Sequence, residues 1–223
     1  MTRGIFIAGN DSVLFSSIIA EAEKRVEQYA SAVIPTTFPV PEKSDDPGSA
    51  KGRISLSWNP ASPISNRTLV LAAENRLGQI NDALLICSPP ALHRQPKALT
   101  PADIEAVVNN QIKGWFFLVR ELALVFHARG GGTLALVTLE TSTSNNRDSP
   151  VDLLGPPVAA SFRSFAQGLL SSSGVEPYNV LGFSLSEAGQ EANFATWLFK
   201  ILDEGSKRNS GKWHKYGKFT IFR

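Results

Sequence analysis

The stretch from Leu99 to Leu139, LTPADIEAVVNNQIKGWFFLVRELALVFHARGGGTLALVTL, leaves this chain few folds to choose from. Thr100 and Asp103 open it with polar groups. Apolar residues then recur at helical spacing: Ile104, Val107, Val108, Ile112, Phe116, Val119, Leu122, Ala123 and Phe126. This predicts about seven turns of helix with one broad buried stripe. Gly130, Gly131 and Gly132 end the helix, because glycine loses the most conformational freedom inside one. Leu134 to Leu139 then reads as a strand buried on both faces. A long helix feeding such a strand through a glycine turn is a unit of a parallel α/β sheet.

The rest of the chain repeats the alternation. Strands are predicted at 4–9, 31–34, 53–58, 82–86, 178–183 and 218–222. After Gly9, the run Asn10-Asp11-Ser12 offers caps for a helix carrying Leu14, Ile18, Ile19, Ala22 and Val26 on one face. Ser62 or Ser65 can cap a second helix over 64–77. A helix over 157–171 turns Phe162, Phe165, Ala166, Leu169 and Leu170 inward. Another, from about Glu187 to Asp203, carries Phe194, Trp197, Leu198 and Ile201. The pattern predicts a doubly wound, mostly parallel sheet: a Rossmann-like three-layer α/β domain spanning 1–223. Residues 35–52 read as an exposed proline-rich loop inserted in that domain, and 140–156 as a polar, turn-rich segment.

Composition narrows the function classes. Of 223 residues, 43% are hydrophobic and 19% charged, with a net charge of +2, so a sizeable core is expected and no general pull on polyanions. The single cysteine, Cys87, rules out an internal disulfide and a cysteine-rich metal site. His93, His127 and His214 are scattered without ligand spacing, so no metal is expected. No apolar run approaches the roughly 20 residues that span a bilayer, and with the first strand expected within five residues of Met1 a signal peptide is not expected. A cytoplasmic protein away from membranes is the expectation. Lys200, Lys207, Arg208, Lys212, Lys215, Lys218 and Arg223 surround Trp213, Tyr216 and Phe219. They fit a packed strand with a charged rim better than a nucleic-acid surface.

Several of these segments resemble the short-chain dehydrogenase/reductase superfamily over nearly the whole length. GQINDALLICSPP resembles the family's GRIDVLVNNAG, and NNQIKGWFFLVRE its VNLTGVFLVTRA. GGTLALVTLE resembles GGRIVNISS, AASFRSFAQGLLSSS resembles YxASKAALEGLTRSL, and SGKWHKYGKFTIF resembles TGQVLHVDGG. The resemblance implies a seven-stranded sheet in a dimer or tetramer, with NAD or NADP as the cofactor of an intact member.

The family's chemistry does not follow its pattern here. TGxxxGxG becomes AGNDSVLF, so only Gly9 remains of the glycines that admit a diphosphate. Val13, Leu14 and Phe15 are expected to fill part of that groove. Weak cofactor-binding candidates are Gly9, Asn10, Asn59 (near the family's adenine-side aspartate) and Ser88. The family's helix asparagine falls at Gln111, beside Asn110, and its serine at Thr138 or Leu139. Its tyrosine falls at Ala159 and its lysine at Arg163. Alanine donates no proton, and arginine stays protonated, so these positions are vestigial and no intact catalytic set is expected. Tyr178 sits on a predicted strand, Cys87 reads as a small apolar core residue, and Ser142 and Ser144 lack a nucleophile motif.

These readings favour a catalytically degenerate, dehydrogenase-like subunit with no cofactor. The alternative is an NAD(P)-dependent oxidoreductase acting on a carbonyl or alcohol with displaced catalytic groups. The apolar surplus on two helices points to an interface through Trp115, Phe117, Leu118, Leu124, Phe162 and Phe165, with Trp213 at a second contact. In the resembling family the matching helices pair across a twofold axis. The partner is expected to be a second copy or an intact paralogous dehydrogenase, not nucleic acid or a membrane.

Overall fold

Six of the strands predicted from sequence lie side by side in one sheet. A computed structural model describes residues 3–26, 28–34, 53–89, 95–140, 152–205 and 207–217. Its strands are β1 (Ile5–Asn10), β2 (Tyr29–Ile34), β3 (Arg53–Leu56), β4 (Asp82–Cys87), β5 (Thr133–Leu139), β6 (Asn179–Leu185) and β7 (Lys212–Tyr216). They form a seven-stranded sheet in the order β3-β2-β1-β4-β5-β6-β7, with every neighbouring pair parallel. The order reverses between β1 and β4, and such a switch point opens a crevice at the carboxyl ends of the strands.

The helices are α1 (Val13–Glu23), α2 (Pro63–Leu77), α3 (Pro101–Ala106), α4 (Gly114–Arg129), α5 (Gly155–Ser172) and α6 (Glu191–Asp203). Alternation along the strands divides the core in two. Phe6, Ala8, Leu85 and Leu136 pack with Leu69 and Val70 of α2, Leu118 and Leu122 of α4, and Phe162 of α5. Ile5, Ile7, Leu84 and Val137 pack with Ile18 of α1 and Phe194 and Leu198 of α6. This is the predicted three-layer Rossmann-like fold. Ser12 caps α1 by accepting from Phe15 N at 3.1 Å, and Ser62 caps α2 by accepting from Ser65 N at 3.3 Å. Thr100 and Asp103 form a reciprocal capping box on α3. Gly130 ends α4 with φ of 72°, a backbone conformation that glycine adopts without strain. At the far end of the sheet, Asp203 accepts from Arg3 and Arg25, while Arg3 Nε reaches Asp82 at 2.5 Å. That network ties the ends of α1 and α6 to the start of β4.

The long helix departs from its expected phase. Val107–Lys113 forms a π-helical turn between α3 and α4. A π turn holds more residues than an α turn, so it rotates α3 relative to α4. Ile104 and Val108 are therefore turned outward, 46% and 40% exposed, instead of lying in the buried stripe. Phe116 is also outside. The run from Trp115 to Val119 is apolar at every position and carries no phase of its own. Packing sets the phase: Trp115, Leu118 and Phe162, expected at an interface, are buried in this chain's own core. The last strand among the described residues is Lys212–Tyr216, and the strand expected over 218–222 lies outside them. The proline-rich loop at 35–52, His93, Ser142 and Ser144 also lie outside them.

Candidate functional site

Asn10 ends β1 at the mouth of the crevice, and both atoms of its side-chain amide are used inside the protein. Nδ2 donates to Gln111 Oε1 at 2.8 Å, and Oδ1 accepts from Ser88 N at 3.0 Å. Asn10 is 3% exposed. Three sequence candidates, Asn10, Ser88 and Gln111, thus meet in space, but they bind one another across the β1–β4 switch point. Gly9 beside them has no room for a side chain: an added Cβ would lie 2.7 Å from Ile86 O and 3.0 Å from Phe15 Cδ2. This glycine serves the packing of α1 on the sheet.

A dinucleotide in this fold needs a glycine-bearing turn whose backbone comes close to a diphosphate. Here only Asp11 and Ser12 separate β1 from α1, and the Ser12 hydroxyl is taken by the helix cap. Neither of these two turn residues is a glycine. Leu14 and Phe15 do not fill the groove; they turn into the core with Ile18, while Val13 is 69% exposed. Asn59 is exposed and closes its own turn, Oδ1 accepting from Ala61 N at 3.2 Å.

Below the crevice runs an aromatic column. Trp58 meets Trp115 edge-on at 5.7 Å, and Trp115 meets Phe162 at 5.2 Å. Trp58 Nε1 donates to Asn66 Oδ1 at 3.0 Å, and the Asn66 amide donates in turn to Pro60 O and Ser62 O. Burial pushes the Cys87 thiol far up, and the adjacent Trp115 indole only partly offsets this. The indole nevertheless stands outside hydrogen-bond geometry. Cys87 is therefore a neutral core thiol, as its composition suggested.

The positions that match the family's catalytic residues lie around the end of β5. Thr138 is 3% exposed and pairs with Cys87 on one side and Ser184 on the other. Leu139 packs against the α1–α6 side of the core. Ala159 and Arg163 stand one turn apart on α5. Arg163 Nη1 donates to Glu140 Oε1 at 2.7 Å, and its guanidinium lies over the Trp213 ring, 5.3 Å from the centroid. Ser186 Oγ donates to Glu140 Oε2 at 3.4 Å, and Trp213 Nε1 donates to Ser184 Oγ at 3.1 Å. The Trp213 ring in turn covers Gly182, where a Cβ would sit 2.4 Å from it. Glu140 and the seating of Trp213 escaped sequence reasoning. The available signal was a carboxylate directly after an apolar strand, with a cation on the helix that follows.

None of the three tyrosines joins this cluster. Tyr29 on β2 donates to Glu23 at 2.6 Å, and burial with that carboxylate pushes its hydroxyl up. Tyr178 precedes β6 at the opposite end of the sheet, against Phe126. Tyr216 lies against Phe194 and Trp197 on the α6 side. Among the described residues no three His, Cys, Asp or Glu side chains gather where a metal ion could be held. Among them, too, no helix is long and apolar enough to cross a membrane. The arrangement around Arg163 can hold strands and helix together and can neutralise a charge; it offers no tyrosine proton donor.

No family model matches the sequence, and the search of curated proteins found no match. Among solved structures, the chain is similar to an NADH-dependent reductase, A1-R', complexed with NAD. The TM-score is 0.72 at 10% identity, covering 96% of this chain and 95% of that one. At that identity the likeness is one of fold, and a Rossmann-like α/β fold of the kind found in an NADH-dependent reductase is what this chain has.

Proposed function

We propose that this chain is a catalytically degenerate relative of the short-chain dehydrogenases, serving as a structural or interaction subunit. The observation that carries the reading is the Arg163–Glu140 pair one turn from Ala159. An acid catalyst at Ala159 is absent, and the cation that would have to lower its pKa is an arginine engaged by a carboxylate and an indole. Arginine does not relay protons, because it stays charged at any working pH. The short Asp11-Ser12 turn supports a chain that holds neither NAD nor NADP. A face of α4 and α5 bearing Phe116, Phe117, Leu124 and Phe165 supports association with a second copy or an intact paralogue.

The test pairs calorimetric titration of NADH and NADPH with a spectrophotometric assay over a panel of carbonyl substrates. We expect no micromolar binding and no turnover. Steady oxidation of either nucleotide would establish the competing reading, an NAD(P)-dependent oxidoreductase with displaced groups. The fold shared with a reductase complexed with NAD is the observation in its favour. Thr138 and Glu140 would then be the first residues to replace.

A further inference from the structure

We propose that β7, an edge strand of the sheet, is a docking site for an extended acidic segment of another protein, which joins the sheet as an added strand. This goes beyond the subunit reading above and does not depend on it. β7 ends the strand order and pairs with β6 alone among the described residues. Ser186 N donates to Tyr216 O at 3.0 Å, which fixes the phase of that pairing. Backbone groups alternate sides along a strand, so those of Lys212, His214 and Tyr216 face β6. The N–H and C=O of Trp213 and Lys215 face outward, with no backbone partner among the described residues. Such an edge is a template for one more strand.

Charge selects the guest. Lys212 and Lys215 are exposed, and neither is ion-paired among the described residues. Side chains alternate as well. Lys212 therefore stands on the α6 side with His214 and Tyr216, and Lys215 on the α5 side with Trp213. The strand, KWHKY, carries no carboxylate. Two copies paired edge to edge would crowd four lysines onto one short ladder, a repulsion in any register. Lysine on an edge deters strands in general, but it attracts one whose carboxylates lie opposite. Because the two lysines are three positions apart on opposite faces, the guest needs two carboxylates at that spacing. On the α6 side, Trp197 and Tyr216 stand 5.2 Å apart and line an open groove of about 730 Å³ with Asn193, Lys200 and Glu204. An apolar residue between the guest's carboxylates falls on that side. A nucleic acid would meet the same lysines but has no amide ladder to pair with the edge.

The probe is a labelled peptide, TVEVYETV, capped at both ends and added to the full chain. Fluorescence anisotropy should show saturable binding. Hydrogen exchange should slow at the Trp213 and Lys215 amides by at least about tenfold, while the amides facing β6 change little. The peptide TVEVEYTV has the same charge with both acids on one face, and it should bind at least about tenfold more weakly. The Lys212→Glu, Lys215→Glu double variant should lose TVEVYETV and gain TVKVYKTV, a swap that an unfolded chain could not show. No saturable binding at about 1 mM peptide would overturn the proposal. Equal affinity for the two acidic peptides would also overturn it, as would binding that leaves the two amides unprotected, since either means charge without strand addition. Tighter binding of an oligothymidylate would hand the surface to nucleic acid instead. Dimerisation that protects the same amides without peptide would hand it to a second copy. None of these readouts uses turnover, so activity with NADH would defeat the subunit reading and leave this one standing.

Discussion

The Asn10 amide donates to Gln111 Oε1 at 2.8 Å, joining the end of β1 to the π-helical turn 101 residues later. Because Asn10 also accepts from Ser88 N, one side chain links the end of β1 both to the residue after β4 and to the π-helical turn. Asn10→Leu leaves an amide oxygen and a backbone N–H without partners, each costing about 1–3 kcal/mol when buried. Urea unfolding should show a loss of roughly 2 kcal/mol or more, and Asn10→Asp a smaller one, since a carboxylate still accepts from Ser88.

Arg163 and Glu140 are each about one-third exposed, so water screens their attraction. Glu140→Ala is expected to cost only about 1 kcal/mol. Arg163→Lys should cost a comparable amount, because an ammonium loses the flat contact with Trp213. Thermal melts of both variants and of the Arg163→Ala, Glu140→Ala pair would give the coupling. Independent, additive losses would mean that the pair is no brace.

His214 stacks on Phe183 at 5.3 Å, with Trp197 edge-on and its Nε2 buried without a partner. Burial holds its pKa below the ordinary 6.5, and the positive charge of Lys212 pushes the same way. A backbone hydrogen bond at Asn209 and the charge of Glu204 oppose this more weakly. The folded state therefore favours the neutral ring. The stability this contributes is present above the unfolded value and is lost as pH falls through the lower folded value. Denaturation curves between pH 7 and pH 5 should show that loss, and His214→Phe should flatten it.

Asp203 receives Arg3 and Arg25 at the junction of β1, α1 and α6. Asp203→Ala removes one carboxylate from each of two guanidiniums, which keep Asp82 and Glu21 as partners, and a network of this kind carries more than an isolated surface pair. We expect a loss of about 1–2 kcal/mol at low ionic strength, shrinking in 1 M salt as the charges are screened. A loss unchanged by salt would assign the effect to helix packing instead.

Much of the architecture was legible in the chain because it rests on local rules. Runs such as Ile5–Ala8 and Leu134–Leu139 have no polar side to show water, and Gly130 marks the end of a helix wherever the pattern stops. The site was legible only in its absences. Ala159 and Arg163 could be placed by their position in a helix, but their neighbours could not. Glu140 meets Arg163 across 23 residues and Asn10 meets Gln111 across 101, and nothing local encodes such pairings. The same limit explains Trp115: five apolar residues in succession allow several inward faces, and Trp58 and Phe162 choose among them. The groove-filling role given to Leu14 and Phe15 failed for a related reason, since apolar bulk beside a missing glycine motif says nothing about which way it points.

The π-helical turn at Val107–Lys113 acts as a rotary coupling between two lengths of one rod. Downstream, the rod is clamped by Trp115, Leu118, Leu122 and Phe126, and an added or lost residue there would scramble the core. Upstream, α3 has no buried residue, so a change of one residue ahead of the buried Asn110 and Gln111 swings Ile104 around the axis without displacing the core. A residue added there would redraw the outer surface while the sheet beneath keeps its shape.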